Sequence, residues 1–371
     1  MEGIDMKKKL LFVAYNMAMG GIHTSLINFL QLIDENHADQ YDVDLFTFGK
    51  GALMPEIPDS VHVICGNKLL GLSACSLYDV LSSRNMWDIF LRIMMIIYVR
   101  IVGSDNFYHT MFKMHRLDKE YDYAISFFND VPKSYFNRGT NLFVSDFTNA
   151  KEKIAWIHTD PLKAHFDPQE CEKVYRDFDQ ILCVSNAIKE KFDQLVPAYA
   201  DKTRVFYNQF SKKRILSKTT EYTPFHKEEA YHVVTVGRVD NTSKRMDGIV
   251  RVCARLKDEG ITQFRWHIVG NGPDLPGNQQ LAREMGVEDL VCFEGEKTNP
   301  FPYIKHADLF ALYSAYEGFP MVIGEAQVLG TYILTTNYAA AKEQIAPEQG
   351  IIAENDEEFY QELKRLILCR S

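Results

Sequence analysis

The sequence predicts an α/β protein built from two doubly wound parallel-sheet domains that face one another across a cleft. Three observations carry this. Short, almost wholly apolar runs of strand length alternate with longer stretches of helical period, the pattern of parallel strands covered on both faces. The series stops at a polar, aperiodic stretch from Ser211 to Glu229, broken by Pro224, and then starts afresh. A length of 371 residues is enough for about two domains of ordinary size. The expected division is a first domain over 1–210, a linker over 211–229, a second domain over 230–352 and a closing helix over 353–371.

In the first half, Leu10 to Ala14 reads as a buried strand that runs through Gly20-Gly21 into a helix from Ile22 to Ile33. Glycines in such a turn let backbone N–H groups approach a ligand. Further strands are expected at Asp42 to Phe48, Val61 to Ile64, Asp122 to Phe127, Lys153 to Ile157, Gln180 to Val184 and Arg204 to Tyr207. Ser185 or Asn186 suits the N-cap of a helix over Ala187 to Leu195. Trp87 to Val102 is almost wholly apolar but carries Asp88, Arg92 and Arg100 at helical spacing. At 16 residues it is shorter than the ~20 that span a bilayer. It reads either as a helix packed in the domain or as a helix that lies on a membrane surface, helped by Arg84, Lys113 and Arg116.

In the second half, strands are expected at Tyr231 to Val236, Phe264 to Val269, Leu290 to Phe293, Asp308 to Tyr313 and Tyr332 to Thr336. Helices are expected at Met246 to Lys257, near Gln279 to Met285, from Pro320 to Leu329, and at Glu357 to Leu368. Gly270-Asn271-Gly272-Pro273 departs from the dinucleotide pattern G-x-G-x-x-G, because Leu275 stands at the third glycine.

Composition narrows the function. With 46% hydrophobic and 25% charged residues the chain is of ordinary globular type. A net charge of −9 argues against general nucleic-acid binding. Seven cysteines without a C-x-x-C pair fit reduced cytosolic thiols better than disulfides or a zinc site. The apolar run after Lys7-Lys8-Lys9 is short and reads as a first strand, not a signal peptide.

Two strand ends carry the chemistry. After the Tyr231 strand comes a loop with three cations, Arg238, Lys244 and Arg245, in a chain that is acidic as a whole. A guanidinium grips two phosphate oxygens and a lysine supplies a mobile point charge. After the Asp308 strand comes Glu317-Gly318-Phe319-Pro320, then a helix with Glu325 within it. Pro320 suits the first helical position, and the N–H groups of Gly318 and Phe319 add to the positive helix end. Two carboxylates at different angles can accept hydrogen bonds from a polyol. His158, at the end of the Lys153 strand, is a further candidate.

Together these residues resemble the retaining, nucleotide-sugar-dependent glycosyltransferases of family 4, which have the GT-B fold of two Rossmann-like domains. The resemblance is clearest from Val236 to Ile345 and includes Gly237-Arg238, Lys244, Val269 to Pro273, Val291 to Gly295, Ala307-Asp308 and the E-x7-E pair Glu317 and Glu325. Gly20-Gly21, Trp156 to His158, Val184-Ser185 and Tyr207-Asn208 look like landmarks of the same family in the first half. The resemblance implies that Arg238 and Lys244 (or, in its place, Arg245) bind the donor diphosphate. Glu317 with the Gly318, Phe319 and Pro320 turn would hold the donor sugar, and Glu325 the ribose. His158 would approach the sugar from the facing domain, and Gly20 and Gly21 would line the floor near the phosphates. The implied partners are a UDP- or GDP-sugar and a glycan or lipid-linked acceptor, with no nucleic acid, no cofactor and no metal requirement. The implied setting is cytoplasmic, peripheral on the membrane's inner face, in cell-surface polysaccharide synthesis. A GT-B-type sugar-nucleotide epimerase and a catalytically silent sugar-nucleotide-binding scaffold are the alternatives.

Overall fold

The computed structural model describes residues 7–75, 77–130, 139–226 and 230–369. It divides into two units, Met1–Gln209 and Phe210–Ser371. Each is built on one parallel sheet, as the alternation of strands and helices requires.

The first unit contains β1 (Lys8–Ala14), β2 (Tyr41–Thr47), β3 (His62–Cys65), β4 (Leu117–Ser126), β5 (Thr148–Ile157), β6 (Gln180–Cys183) and β7 (Thr203–Val205). Their order is β3-β2-β1-β4-β5-β6-β7, with every pair parallel. Leu11, Phe12, Val13 and Ala14 are fully buried, which explains the unbroken apolar run. Aromatic rings fill one side of this sheet: Phe46 stacks on Phe143 at 4.3 Å, and Phe112 lies 5.1 Å from Phe48.

The second unit contains β8 (Tyr231–Val236), β9 (Phe264–Val269), β10 (Val291–Gly295), β11 (Leu309–Leu312), β12 (Ile333–Thr336) and β13 (Gly350–Ala353). Their order is β10-β9-β8-β11-β12-β13, again parallel. β13 lies in a stretch that the sequence pattern left without an element. The helix Met246–Asp258 turns Ile249, Val250, Cys253 and Leu256 into the core. The closing helix, Asp356–Leu368, buries Phe359, Tyr360, Leu363 and Ile367 in that same core. The closing helix expected over 353–371 thus packs on the second unit.

The stretch expected to be a linker also packs on that unit. Ser211 caps a short helix, Lys212–Ser217, by accepting from the N–H of Arg214 at 3.1 Å. Ile215 is fully buried, and Phe210, Tyr222 and Phe225 pack on the core of the second unit. Residues 227–229 of that stretch lie outside the described residues. The segment has no apolar period because its few apolar side chains reach the core one at a time.

The apolar segment near residue 90 forms the helix Met86–Val102. Its inward side carries Met95, Val99 and Arg92, the last donating to the Cys75 carbonyl at 3.1 Å. Its outward side carries Trp87, Phe90, Ile93, Ile97 and Ile101, with Trp87 and Ile101 73% and 77% exposed. Arg92 and Arg100, on one side by helical spacing, differ in their surroundings: Arg92 is buried and Arg100 is exposed. No helix among the described residues is long and apolar enough to cross a membrane.

Candidate active site

In the second unit β8 and β11 are neighbours although β9 and β10 intervene in sequence. The chain therefore winds outward in opposite directions on the two sides of this pair. At such a reversal the loops diverge and leave a crevice at the carboxyl ends of the strands. The loop after β8 is Gly237 to Arg245, and the loop after β11 is Tyr313 to Pro320. They are the two stretches singled out from sequence.

The two loops are joined. The N–H of Ala315 donates to the Ser243 carbonyl at 2.8 Å. Lys244 Nζ is in a charge-assisted hydrogen bond with Glu317 Oε1, and Ser314 Oγ donates to the same oxygen at 2.7 Å. The Lys244 and Glu317 side chains are only 19% and 12% exposed. Lys244 is thus not the mobile surface lysine that its loop position suggests. Glu317 keeps a second carboxylate oxygen for other donors.

Arg245 turns elsewhere. Its backbone is left-handed, φ 50°, at the start of the helix Met246–Asp258. Its guanidinium lies 4.3 Å above the Tyr313 ring and donates to both oxygens of Asp356, at 2.8 and 2.6 Å. That bidentate contact holds the Asp356 carboxyl below the usual range. Of the two adjacent cations, Lys244 faces Glu317 and Arg245 is committed to the closing helix. Arg238 is exposed at the other end of the loop. Burial pushes the Asp240 carboxyl up, but hydrogen bonds from the Ser243 hydroxyl and N–H outweigh it and leave the group ionised below its usual range. Gly270 is required by a close approach: a Cβ there would fall 1.8 Å from the Gly237 carbonyl oxygen. The glycines after β9 therefore allow that loop to lie against the β8 loop.

Gly318 and Phe319 are half-buried in the turn, and Phe319 packs on the core. Pro320 takes the N-cap position, one residue earlier than expected, and the helix runs Met321–Leu329. Its carbonyl accepts from Gln344 Nε2 at 2.9 Å, and Gln344 accepts in turn from Tyr338 at 2.7 Å. Glu325, in the second turn, is 3% exposed. Burial pushes its carboxyl up to about 7, partly offset by the Arg214 cation. Phe210 seals this region; a Cβ on Gly324 would fall 2.0 Å from its ring. Arg214 and Phe210 were missed from sequence because Arg214 falls where a linker was expected and Phe210 was counted as the last residue of the first domain. No local signal marks them.

In the first unit, Gly20 caps the helix Gly21–His37, and both glycines are exposed after β1, at that sheet's own reversal between β1 and β4. His158 follows β5. Its N–H donates to Asn129 Oδ1 at 2.6 Å, and its ring stacks on Trp156 at 5.7 Å. The sequence holds two Asp-x-Asp triplets, the usual metal-holding pattern of the other major glycosyltransferase fold. Asp44 accepts from Tyr121 at 2.6 Å and Lys119 at 3.0 Å within β2. Asp179 binds the Lys153 N–H at 2.7 Å, just before β6. Both triplets lie at or before the amino-terminal halves of strands, so neither has the strand-end placement of a ligand crevice.

Two parallel Rossmann-like sheets, each with its strand order reversed beside its first strand, define a protein of the GT-B fold class. Residues 230–368, which make up most of the second unit, match the family described as glycosyl transferases group 1. The N-acetylgalactosamine-N,N'-diacetylbacillosaminyl-diphospho-undecaprenol 4-alpha-N-acetylgalactosaminyltransferase of Campylobacter jejuni is 27% identical over 198 residues, 52% of each chain. The lipopolysaccharide 1,6-galactosyltransferase of Salmonella typhimurium is 30% identical over 157 residues, 41% of each chain. The chain thus spans about half the length of the curated relatives it matches. The crystal structure of HepE from Anabaena with UDP and glucose superposes with a TM-score of 0.67 at 17% identity, covering 98% of this chain and 90% of that one.

Proposed function

We propose that the protein transfers a sugar from a UDP- or GDP-sugar to a hydroxyl of a glycan or lipid-linked acceptor, with retention of the anomeric configuration. The observation that carries this is the Lys244–Glu317 pair at the β8/β11 reversal. One cation suited to phosphate and one carboxylate suited to hydroxyls are held there in a single small site.

Glycosyl transfer develops positive charge at the anomeric carbon and negative charge on the departing diphosphate. We assign Lys244, Arg238 and the start of the Met321–Leu329 helix to the second charge. When the diphosphate arrives, Lys244 exchanges Glu317 for phosphate oxygens. Glu317 and the Gly318-Phe319-Pro320 turn then take the sugar hydroxyls. Glu325 accepts from the ribose, an interaction that favours its ionised form. His158 orients the sugar, and Gly20 and Gly21 admit the phosphates and acceptor close to the backbone. Side chains thereby supply the cations, and the transfer needs no metal. No carboxylate among these assignments serves as a nucleophile, because Glu317 is given to the hydroxyls. The acceptor attacks from the leaving group's side, and the departing diphosphate takes its proton.

A lipid-linked acceptor places the reaction at a membrane surface, on the cytoplasmic side. The outward face of the helix Met86–Val102 supports this, with Trp87, Phe90, Ile97 and Ile101 exposed and Arg84, Arg100, Lys113 and Arg116 around it. The names of the Campylobacter and Salmonella relatives agree, since they specify a diphospho-undecaprenol and a lipopolysaccharide.

The deciding experiment is product analysis by NMR after turnover with the nucleotide sugar that most raises the melting temperature. Retention at the transferred anomeric carbon is expected. An inverted centre would refute the front-face mechanism.

A further inference from the structure

β8, β9 and β10 lie side by side, and one face of them gathers His232, His267, Cys292 and Glu294. Strand register does this. His267 and Cys292 are paired across β9 and β10, and Glu294 returns to the same face two residues on, at an irregularity before Gly295.

Hydrogen bonds link the cluster into one chain. His232 Nε2 donates to the His226 carbonyl oxygen at 3.1 Å, and His232 Nδ1 lies 2.9 Å from His267 Nε2. Across the remaining gap His267 Nδ1 faces Glu294 Oε1 at 2.7 Å, the distance at which an imidazole and a carboxylate share one hydrogen. The remaining Glu294 oxygen is held by the Tyr303 hydroxyl at 2.8 Å. Phe225 stacks on both imidazoles, at 4.1 and 4.5 Å, and His267 is 6% exposed. A third donor stands beside the gap: the Cys292 sulfur, the His267 nitrogen and the Glu294 oxygen all lie within 4.8 Å of one another.

We propose that His267, Cys292 and Glu294 bind a single borderline-soft divalent cation, zinc by preference. Nitrogen, thiolate and carboxylate donors on a tetrahedral ion, with water in the fourth position, are a set that zinc accepts. With bonds of about 2.0–2.3 Å, tetrahedral ligand atoms stand roughly 3.3–3.8 Å apart, so closing the cluster takes a movement of about 1 Å. His232 and Tyr303 already hold the outer atoms of two ligands, the support that a metal-bound imidazole and carboxylate require. Binding releases two protons: the one shared by His267 and Glu294, and that of the thiol. The ion pins β10, the edge strand of the sheet, to β9. It takes no part in the sugar transfer, and the proposal stands whether or not that reading holds.

The test is titration of the full chain, freed of metal by chelation, with Co2+. One equivalent should bind, with a thiolate-to-cobalt band in the near ultraviolet and the visible bands of four-coordinate cobalt, and Zn2+ should displace it. Cys292→Ser should abolish the near-ultraviolet band. Cys65→Ser and Cys369→Ser, at exposed thiols, should leave it unchanged. Glu294→Gln should weaken cobalt affinity about tenfold or more, and Zn2+ should raise the melting temperature of the wild type but not of Cys292→Ser. Absence of stoichiometric cobalt uptake would overturn the proposal and leave a shared proton in the gap. So would survival of the band in Cys292→Ser. Should Cys292→Ser not fold, unchanged affinity in Glu294→Gln would overturn it equally.

Discussion

Replacing Glu325 by Gln should flatten the pH dependence of the second unit's stability. The carboxyl is 3% exposed, and burial raises it from 4.5 to about 7. A raised carboxyl binds protons more tightly in the folded chain, so folding favours the acid form. Between pH 4.5 and 7 the unfolded state has lost the proton that the folded state keeps. Stability therefore falls as pH rises through this window and levels off above it. Integrating the two titrations gives a destabilisation of about 0.8 kcal/mol at pH 5 and about 3.3 kcal/mol at pH 8, a difference of roughly 2.5 kcal/mol. Glu325→Gln cannot titrate and should lack that difference. The assay is urea unfolding at the two pH values, in a Trp87→Phe, Trp156→Phe background. Trp266, fully buried in the second unit, is then the sole fluorophore of its kind. Parallel pH profiles for the chains with and without Glu325→Gln would refute the buried-carboxyl argument. A parent chain that gains stability toward pH 8 relative to the variant would reverse its sign.

Three further outcomes are expected. Lys244→Ala should slow turnover at least about a hundredfold, as loss of a charge-stabilising donor does, and cost about 1–3 kcal/mol by leaving Glu317 short of a partner; wild-type turnover would sink the diphosphate assignment. Turnover should persist within about twofold in EDTA if, as proposed, side-chain cations serve the diphosphate; loss restored by magnesium or manganese, but not by zinc, would show that reading to be wrong. Trp87→Ala and Ile101→Ala should each weaken binding to anionic vesicles about tenfold, the scale of one large apolar side chain leaving an interface, and salt should weaken the wild type as well; absence of vesicle binding at low salt would end the membrane assignment.

The central strands were legible because they are unbroken apolar runs, as at Leu10 to Ala14 and Leu309 to Leu312. β13 was not: its apolar run is only Ile351 to Ala353, between Gly350 and Glu354. The loops after β8 and β11 were recognisable by their cations and carboxylates. Their direct pairing was not, since Lys244 and Glu317 lie 73 residues apart and meet only through strand order. The helix Met86–Val102 shows the converse. Its composition was plain, yet nothing in the pattern said that Arg92 would turn inward and Trp87 outward. The His267, Cys292 and Glu294 cluster has no metal-ligand spacing in sequence, because two of its residues meet through register alone.

The clamp at Arg245 bears on how such chains can be cut and recombined. A residue in a strained left-handed backbone, one step from Lys244, is anchored by a carboxylate 111 positions later, on the closing helix. That helix therefore acts as a remote tether on the loop given to the diphosphate. A nonsense mutation near residue 355 would be felt as a slack Lys244 loop, even where the rest of the sheet still folds. Hybrid enzymes that splice one relative's C-terminal helix onto another's sheet should inherit position 356 together with position 245, or lose both.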